Sequence, residues 1–176
     1  MFFTRLLAVA ALAGLSLAPA AAALDTGVKA PDFSTQASLG GKVFTFDLKA
    51  ALAKGPVVLY FYPAAFTSGC TLEAHDFADH IDDFKKYGAT VIGVSGDDIE
   101  KLDKFSVSEC RSKFAVASDK DLKIAKSYDA VLMNAYANRT SYVIAPDGKI
   151  VYSYTALDPG KHVANTLDAL KKLEAK

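Results

Sequence analysis

The apolar run Val57-Val58-Leu59-Tyr60-Phe61-Tyr62, closed off by Gly55-Pro56 on one side and Pro63 on the other, most restricts how this chain can fold. β-Branched and aromatic residues without polar alternation suit a strand buried on both faces of a sheet. The residues after it read as a helix start. Ser68 can cap, Gly69 lets another group pass close to the backbone, and Glu73 puts negative charge in the first turn. Cys70 therefore falls where a strand hands over to a helix, at the positive end of the helix dipole, where unsatisfied N–H groups favour a thiolate. Position alone leaves two readings open, a nucleophile or a small buried hydrophobe.

The chain has 176 residues, enough for one domain with an ordinary core, preceded by a leader. Residues 1–23 have the form of a secretory signal peptide: Arg5 supplies charge, 6–17 form the apolar run, and Ala21-Ala22-Ala23 a cleavage site before Leu24. That run is shorter than the roughly 20 residues a spanning helix needs, and Pro19 follows it. An uncleaved anchor is the alternative. Losing Arg5 leaves 19 basic residues against 20 acidic, with no Lys or Arg block, so nothing points to nucleic acid or an anionic membrane. The partner expected is small, or a redox protein. The mature domain, 24–176, keeps two arginines, Arg111 and Arg139, and two cysteines, Cys70 and Cys110. Export implies a periplasmic or other extracytoplasmic compartment, oxidising enough for those cysteines to pair.

Along the mature chain, 33–36 and 43–46 around Gly40-Gly41 predict a hairpin, and 48–53 a short helix. Residues 71–87 carry Phe77, Ile81 and Phe84 at helical spacing and predict one amphipathic helix ended by Gly88. Residues 90–95 read as a second core strand. Asp98 can cap a helix over 99–109, and Asp119 one through Leu122, Ile124, Ala125 and Tyr128. Residues 133–138 show no clear period. Pro146-Asp147-Gly148 between two β-rich runs specifies a tight turn, and 162–173 closes the chain as a helix. The alternation of strands and helices implies an α/β sandwich with parallel strands at its centre.

Pro63, Thr67 and Cys70 match the Pro-x-x-x-Thr-x-x-Cys pattern of peroxiredoxins. Phe61-Tyr62-Pro63, Gly69-Cys70-Thr71 and Glu73-Ala74 resemble the Q-type, or bacterioferritin-comigratory, branch. Asp119, Arg139-Thr140 and Pro146-Asp147-Gly148-Lys149 follow in the family's order, so the resemblance spans about residues 30–173. It implies a thioredoxin-like α/β sandwich, a central mixed sheet with helices on both faces and an N-terminal β-hairpin. It also implies a thiol-dependent peroxidase acting on hydrogen peroxide or organic hydroperoxides, with no metal or organic cofactor and electrons from a dithiol protein or small thiol.

By that resemblance Cys70 attacks the peroxide and becomes a sulfenic acid. Arg139 supplies fixed positive charge and donors to the peroxide, the alternative being a structural ion pair with Glu73. Thr67, three residues before Cys70, brings a hydroxyl that both donates and accepts, or else only caps the helix. Pro63 shields the sulfur from water, and Glu73 orients Arg139 or serves the helix dipole.

One departure matters. Many Q-type members carry a second cysteine five residues after the first, and His75 stands there in this chain. Cys110 is then the candidate resolving thiol, with Arg111 beside it favouring attack; a one-cysteine enzyme is the alternative. His75 and His80 do not share a helix face and form no metal pattern, and His162 is expected to be solvated. Two rivals remain on the same fold. A copper-binding factor would need a second cysteine near the first, and a disulfide oxidoreductase a Cys-x-x-Cys pair. No further cysteine follows Leu173, which leads to the expectation of a monomer.

Overall fold

All five residues of the strand Val57–Phe61 are buried, and the rest of the molecule is layered on its two faces. The computed structural model describes residues 23–175. The expected leader lies, but for its last residue, outside them. In chain order the elements are β1 (Ser34–Leu39), β2 (Lys42–Asp47), α1 (Leu48–Leu52), β3 (Val57–Phe61), α2 (Ser68–Asp79), α3 (Ile81–Lys86), β4 (Thr90–Ser95) and α4 (Ile99–Ser108). There follow β5 (Ala115–Ser118), α5 (Lys123–Ser127), β6 (Val131–Leu132), β7 (Tyr136–Ala137), β8 (Thr140–Ile144), β9 (Ile150–Thr155), a 3₁₀ turn (Pro159–Lys161) and α6 (His162–Glu174).

Seven strands form one sheet in the order β2-β1-β5-β4-β3-β8-β9. β3, β4 and β5 are parallel, while β8 runs antiparallel to β3 with Phe61 opposite Thr140. This is the thioredoxin-like mixed sheet, with the N-terminal hairpin β1–β2 at one edge. Because side chains alternate along a strand, β3 feeds two cores. Val57, Leu59 and Phe61 pack with Leu48, Leu52, Ala125 and Tyr128 on one face. Val58 and Tyr60 pack with Phe77, Phe84, Leu102, Phe105 and Leu170 on the other. The first core is roofed by α1 and α5, the second by α2, α3, α4 and α6.

One local expectation is corrected and two are refined. The helix predicted over 71–87 is two helices, broken at His80, whose φ of −102° and ψ of 8° leave the helical region. Its ring sits 2.9 Å from the Asp76 carbonyl, while Asp82 and Asp83 supply the acidic first turn of α3. Phe77, Ile81 and Phe84 stay in one core across the break, which is why their spacing looked continuous. The stretch without a clear period, 133–138, supplies the turn and second strand of a small hairpin, β6–β7, with Met133 and Asn134 at φ 50° and 56°. Finally, Asp119 caps from a distance. Its carboxylate accepts from the N–H groups of Ile124 and Ala125 at 3.1 and 2.7 Å, across a turn in which Leu122 is left-handed.

Candidate active site

Parallel packing of β3 against β4 puts the C-terminal end of β3 at the centre of the sheet's upper edge, where loop 62–67 leads into α2. Thr67 takes the N-cap position in extended geometry, and Ser68 is the first helical residue. Neither hydroxyl caps the helix. Thr67 Oγ1 instead donates to the Ala64 carbonyl at 2.9 Å, closing the loop on itself. Cys70 is the third residue of the helix and is buried, 2% exposed. Pro63 is half-buried and Thr67 exposed, so these two form the outer rim of the site while the sulfur lies beneath.

The antiparallel register of β3 with β8 does the rest. Arg139 precedes β8 and is brought beside the end of β3, above the first turn of α2. Its Nη2 donates toward Cys70 Sγ at 3.5 Å. Nη1 donates to Glu73 Oε2, and Nε to the Leu157 carbonyl at 2.8 Å. The two roles weighed for Arg139, structural ion pair and partner of the sulfur, are thus both occupied, by different nitrogens of one planar fork. Glycine at 69 permits this: a Cβ there would stand 3.1 Å from Nη2.

Glu73 is fully buried. Burial pushes its carboxyl up to about 8 from 4.5, against the pull of Arg139. Its second oxygen, Oε1, has no hydrogen-bond partner and lies 3.7 Å from Nδ1 of His162. His162 overturns the expectation of a solvated residue: its side chain is wholly inaccessible. The expectation took the first residue of a helix to be exposed. The ring points instead into the space between α2 and β8, where Ser141 Oγ lies 2.8 Å from Nδ1. A usable signal was present, since Val163 next to it belongs to the core face.

Cys110 lies apart from this cluster. It follows α4 and is buried in the same apolar core as Cys70, together with Tyr60 and Tyr62. Both cysteines are free thiols. The activating role given to Arg111 is corrected: its Nη1 donates to Asp79, across the surface. Burial, reinforced by Glu109, drives the Cys110 thiol well above the ordinary range. His75 pairs with Glu109 at 2.8 Å. Among the described residues no group of three or more His, Cys, Asp or Glu side chains comes together to hold a metal ion.

A buried thiol with a guanidinium donor, at a helix N-terminus behind a rim of Pro63 and Thr67, is arranged to hold a small polar oxidant against sulfur. Several known proteins resemble the chain as a whole. Residues 26–153 match the model of the AhpC/TSA family. The chain is 37% identical over 153 residues to rice chloroplastic peroxiredoxin Q, covering 85% of this chain and 68% of that one. It is 31% identical over 160 residues to peroxiredoxin Bcp of Bacillus subtilis, covering 87% and 99%. Among solved structures, peroxidoxin BcpB of Mycobacterium tuberculosis superposes with a TM-score of 0.75 at 30% identity, covering 84% of this chain and 96% of that one.

Proposed function

The chain belongs to the AhpC/TSA family of peroxiredoxins and is a thiol peroxidase, and from that premise we propose that Cys70 is its peroxidatic sulfur. The observation that carries this reading is the 3.5 Å contact from Arg139 Nη2 to Cys70 Sγ, with the guanidinium fixed from two further sides.

In the reaction the Cys70 thiolate attacks one peroxide oxygen. The S–O bond forms as the O–O bond breaks, sulfur loses two electrons, and the departing oxygen takes a proton to leave as water or an alcohol. Arg139 lies where it can donate to the peroxide as negative charge moves onto the departing oxygen, the kind of preorganised stabilisation that contributes most to such steps. Thr67 and Pro63 form the rim that admits a small peroxide while limiting water. Glu73 anchors Arg139.

The sulfenic acid at Cys70 then condenses with the Cys110 thiol, giving a disulfide and water, and an external dithiol returns both to thiols. Both sulfurs are buried, Cys70 in the first turn of α2 and Cys110 in the bend after α4, so this step requires the first turn of α2 to unwind. We further propose export with removal of residues 1–23, on the strength of Arg5, the apolar run 6–17 and the small residues before Leu24.

Mass spectrometry of protein treated with one equivalent of hydrogen peroxide tests the assignment. A Cys70–Cys110 disulfide in wild type, a trapped sulfenic acid at Cys70 in Cys110→Ser, and no oxidation in Cys70→Ser are expected. Oxidation that begins at Cys110 would overturn it.

A further inference from the structure

We propose that His162 is a positioning residue for Arg139, bracing at once the carboxylate and the carbonyl segment that hold the guanidinium against Cys70. This rests on Cys70 being the reacting sulfur.

The ring is fixed at both nitrogens. Nε2 lies 3.0 Å from the Ala156 carbonyl, which can only accept, so Nε2 carries the proton. Burial and the nearby Arg139 charge hold the imidazole well below its ordinary range, at about 4, so at neutral pH Nδ1 is an acceptor and the Ser141 hydroxyl donates to it at 2.8 Å. The edge of the ring meets Tyr154 at 4.8 Å between centroids.

From that position it reaches Arg139 by two routes. The first runs through the chain at 156–157. His162 holds the Ala156 carbonyl, the Ala156 N–H donates to the Arg139 carbonyl at 3.2 Å, and the next carbonyl, Leu157, accepts from Arg139 Nε at 2.8 Å. The second runs through Glu73. Nδ1 stands 3.7 Å from Oε1, the oxygen that Arg139 does not use, and fills the space into which the carboxylate would otherwise turn. A neutral acceptor there offers Glu73 no proton. Among the described residues the guanidinium is the only side chain hydrogen-bonded to Glu73, and the ring at Oε1 keeps Nη1 on Oε2 and Nη2 aimed at sulfur.

The charged and titratable groups facing the ring are Glu73 from α2, Arg139 before β8, Tyr154 from β9 and Asp158 from the turn before α6. Protonation of Nδ1 would give Glu73 a second cation and loosen its hold on Arg139.

Three variants of the full chain test this: His162→Gln, whose amide nitrogen can take the place of Nε2, His162→Asn, which cannot reach the Ala156 carbonyl, and His162→Leu. The readouts are the pH profile of Cys70 alkylation by iodoacetamide, the second-order rate with hydrogen peroxide, and circular dichroism. For Asn and Leu the alkylation midpoint is expected to move to higher pH by about one unit and the peroxide rate to fall about tenfold. Gln should restore most of both. If Leu fails to fold, Asn against Gln decides. An Asn profile coincident with wild type overturns the proposal, and so does a Gln variant no better than Asn. Alkylation uses no peroxide, so a wild-type Cys70 inert to peroxide would sink the peroxidatic assignment while the alkylation shifts still reported on His162.

Discussion

Cys70 and Glu73, three residues apart on α2, take hydrogen bonds from two different nitrogens of the same guanidinium. One cation therefore serves two groups that can each be anionic, in a place water barely reaches. Most of what the site is expected to do follows from that shared partner.

Arg139→Lys keeps a positive charge and loses the fork. An ammonium can approach the sulfur or the carboxylate, but it cannot bridge them while also donating to the Leu157 carbonyl. The rate of Cys70 oxidation is expected to drop by about 100-fold, comparable to losing one preorganised donor at a charge-developing atom. Rapid mixing with peroxide followed by alkylation and mass spectrometry measures it. A rate within threefold of wild type would mean that charge alone suffices.

Gly69→Ala should move stability and activity in opposite directions. Alanine is favoured over glycine within a helix by roughly 0.5–1 kcal/mol, so the thermal midpoint is expected to hold or rise. Yet the new Cβ would stand 3.1 Å from Arg139 Nη2, and the guanidinium has little room to yield because Glu73 and Leu157 hold it. A rate loss of about tenfold is expected for a displacement of a few tenths of an ångström. Equal rates in alanine and glycine enzymes would show that the guanidinium moves freely.

The pH dependence of stability has a defined shape. Glu73 binds its proton more tightly folded than unfolded, about 8 against 4.5, so its contribution is complete below pH 4.5 and is lost as pH rises through 8. His162 is the reverse: lowered to about 4 from 6.5, it favours the folded state above pH 6.5 and loses that contribution as pH falls toward 4. Between 4.5 and 6.5 the two slopes cancel. From 6.5 to 8 Glu73 acts alone, and urea titrations should show stability falling by roughly 1 kcal/mol per pH unit. In Glu73→Gln that decline should vanish; its persistence would assign it to another group.

Cys110 should be chemically silent in the reduced protein. Burial pushes its thiol up and leaves no access for a reagent, whereas Cys70 is 2% exposed and has the Arg139 donor beside it. At pH 8 iodoacetamide is expected to label Cys70 alone, with Cys110 labelled only in denaturant. Cys110→Ser should leave the first oxidation intact and abolish turnover with a dithiol. Rapid labelling of native Cys110 would contradict its burial.

Much of this arrangement was legible in the letters. The run ending at Tyr62 read as a strand buried on both faces, and Pro63, Thr67 and Cys70 at their spacing pointed to one site. Arg139 was legible through its place in the family's order, although nothing local says that it meets Cys70. That meeting depends on the pairing of β3 with β8, a contact between distant segments. His162 was hidden for a related reason. Its sequence neighbours describe a helix start, while its partners are Ser141, Ala156 and Glu73. The break at His80 was masked because the apolar spacing survives it.

The pairing of Phe61 with Thr140 has a bearing on biosynthesis. The guanidinium that meets the sulfur is encoded 69 residues after it and reaches its place only when β8 docks beside β3. A nascent polypeptide that has emerged past α2 thus carries Cys70 without the guanidinium beside it. Under the role proposed for Arg139, oxidants encountered by the half-made molecule during synthesis meet a thiol without its guanidinium donor, and that donor arrives with completion of the fold.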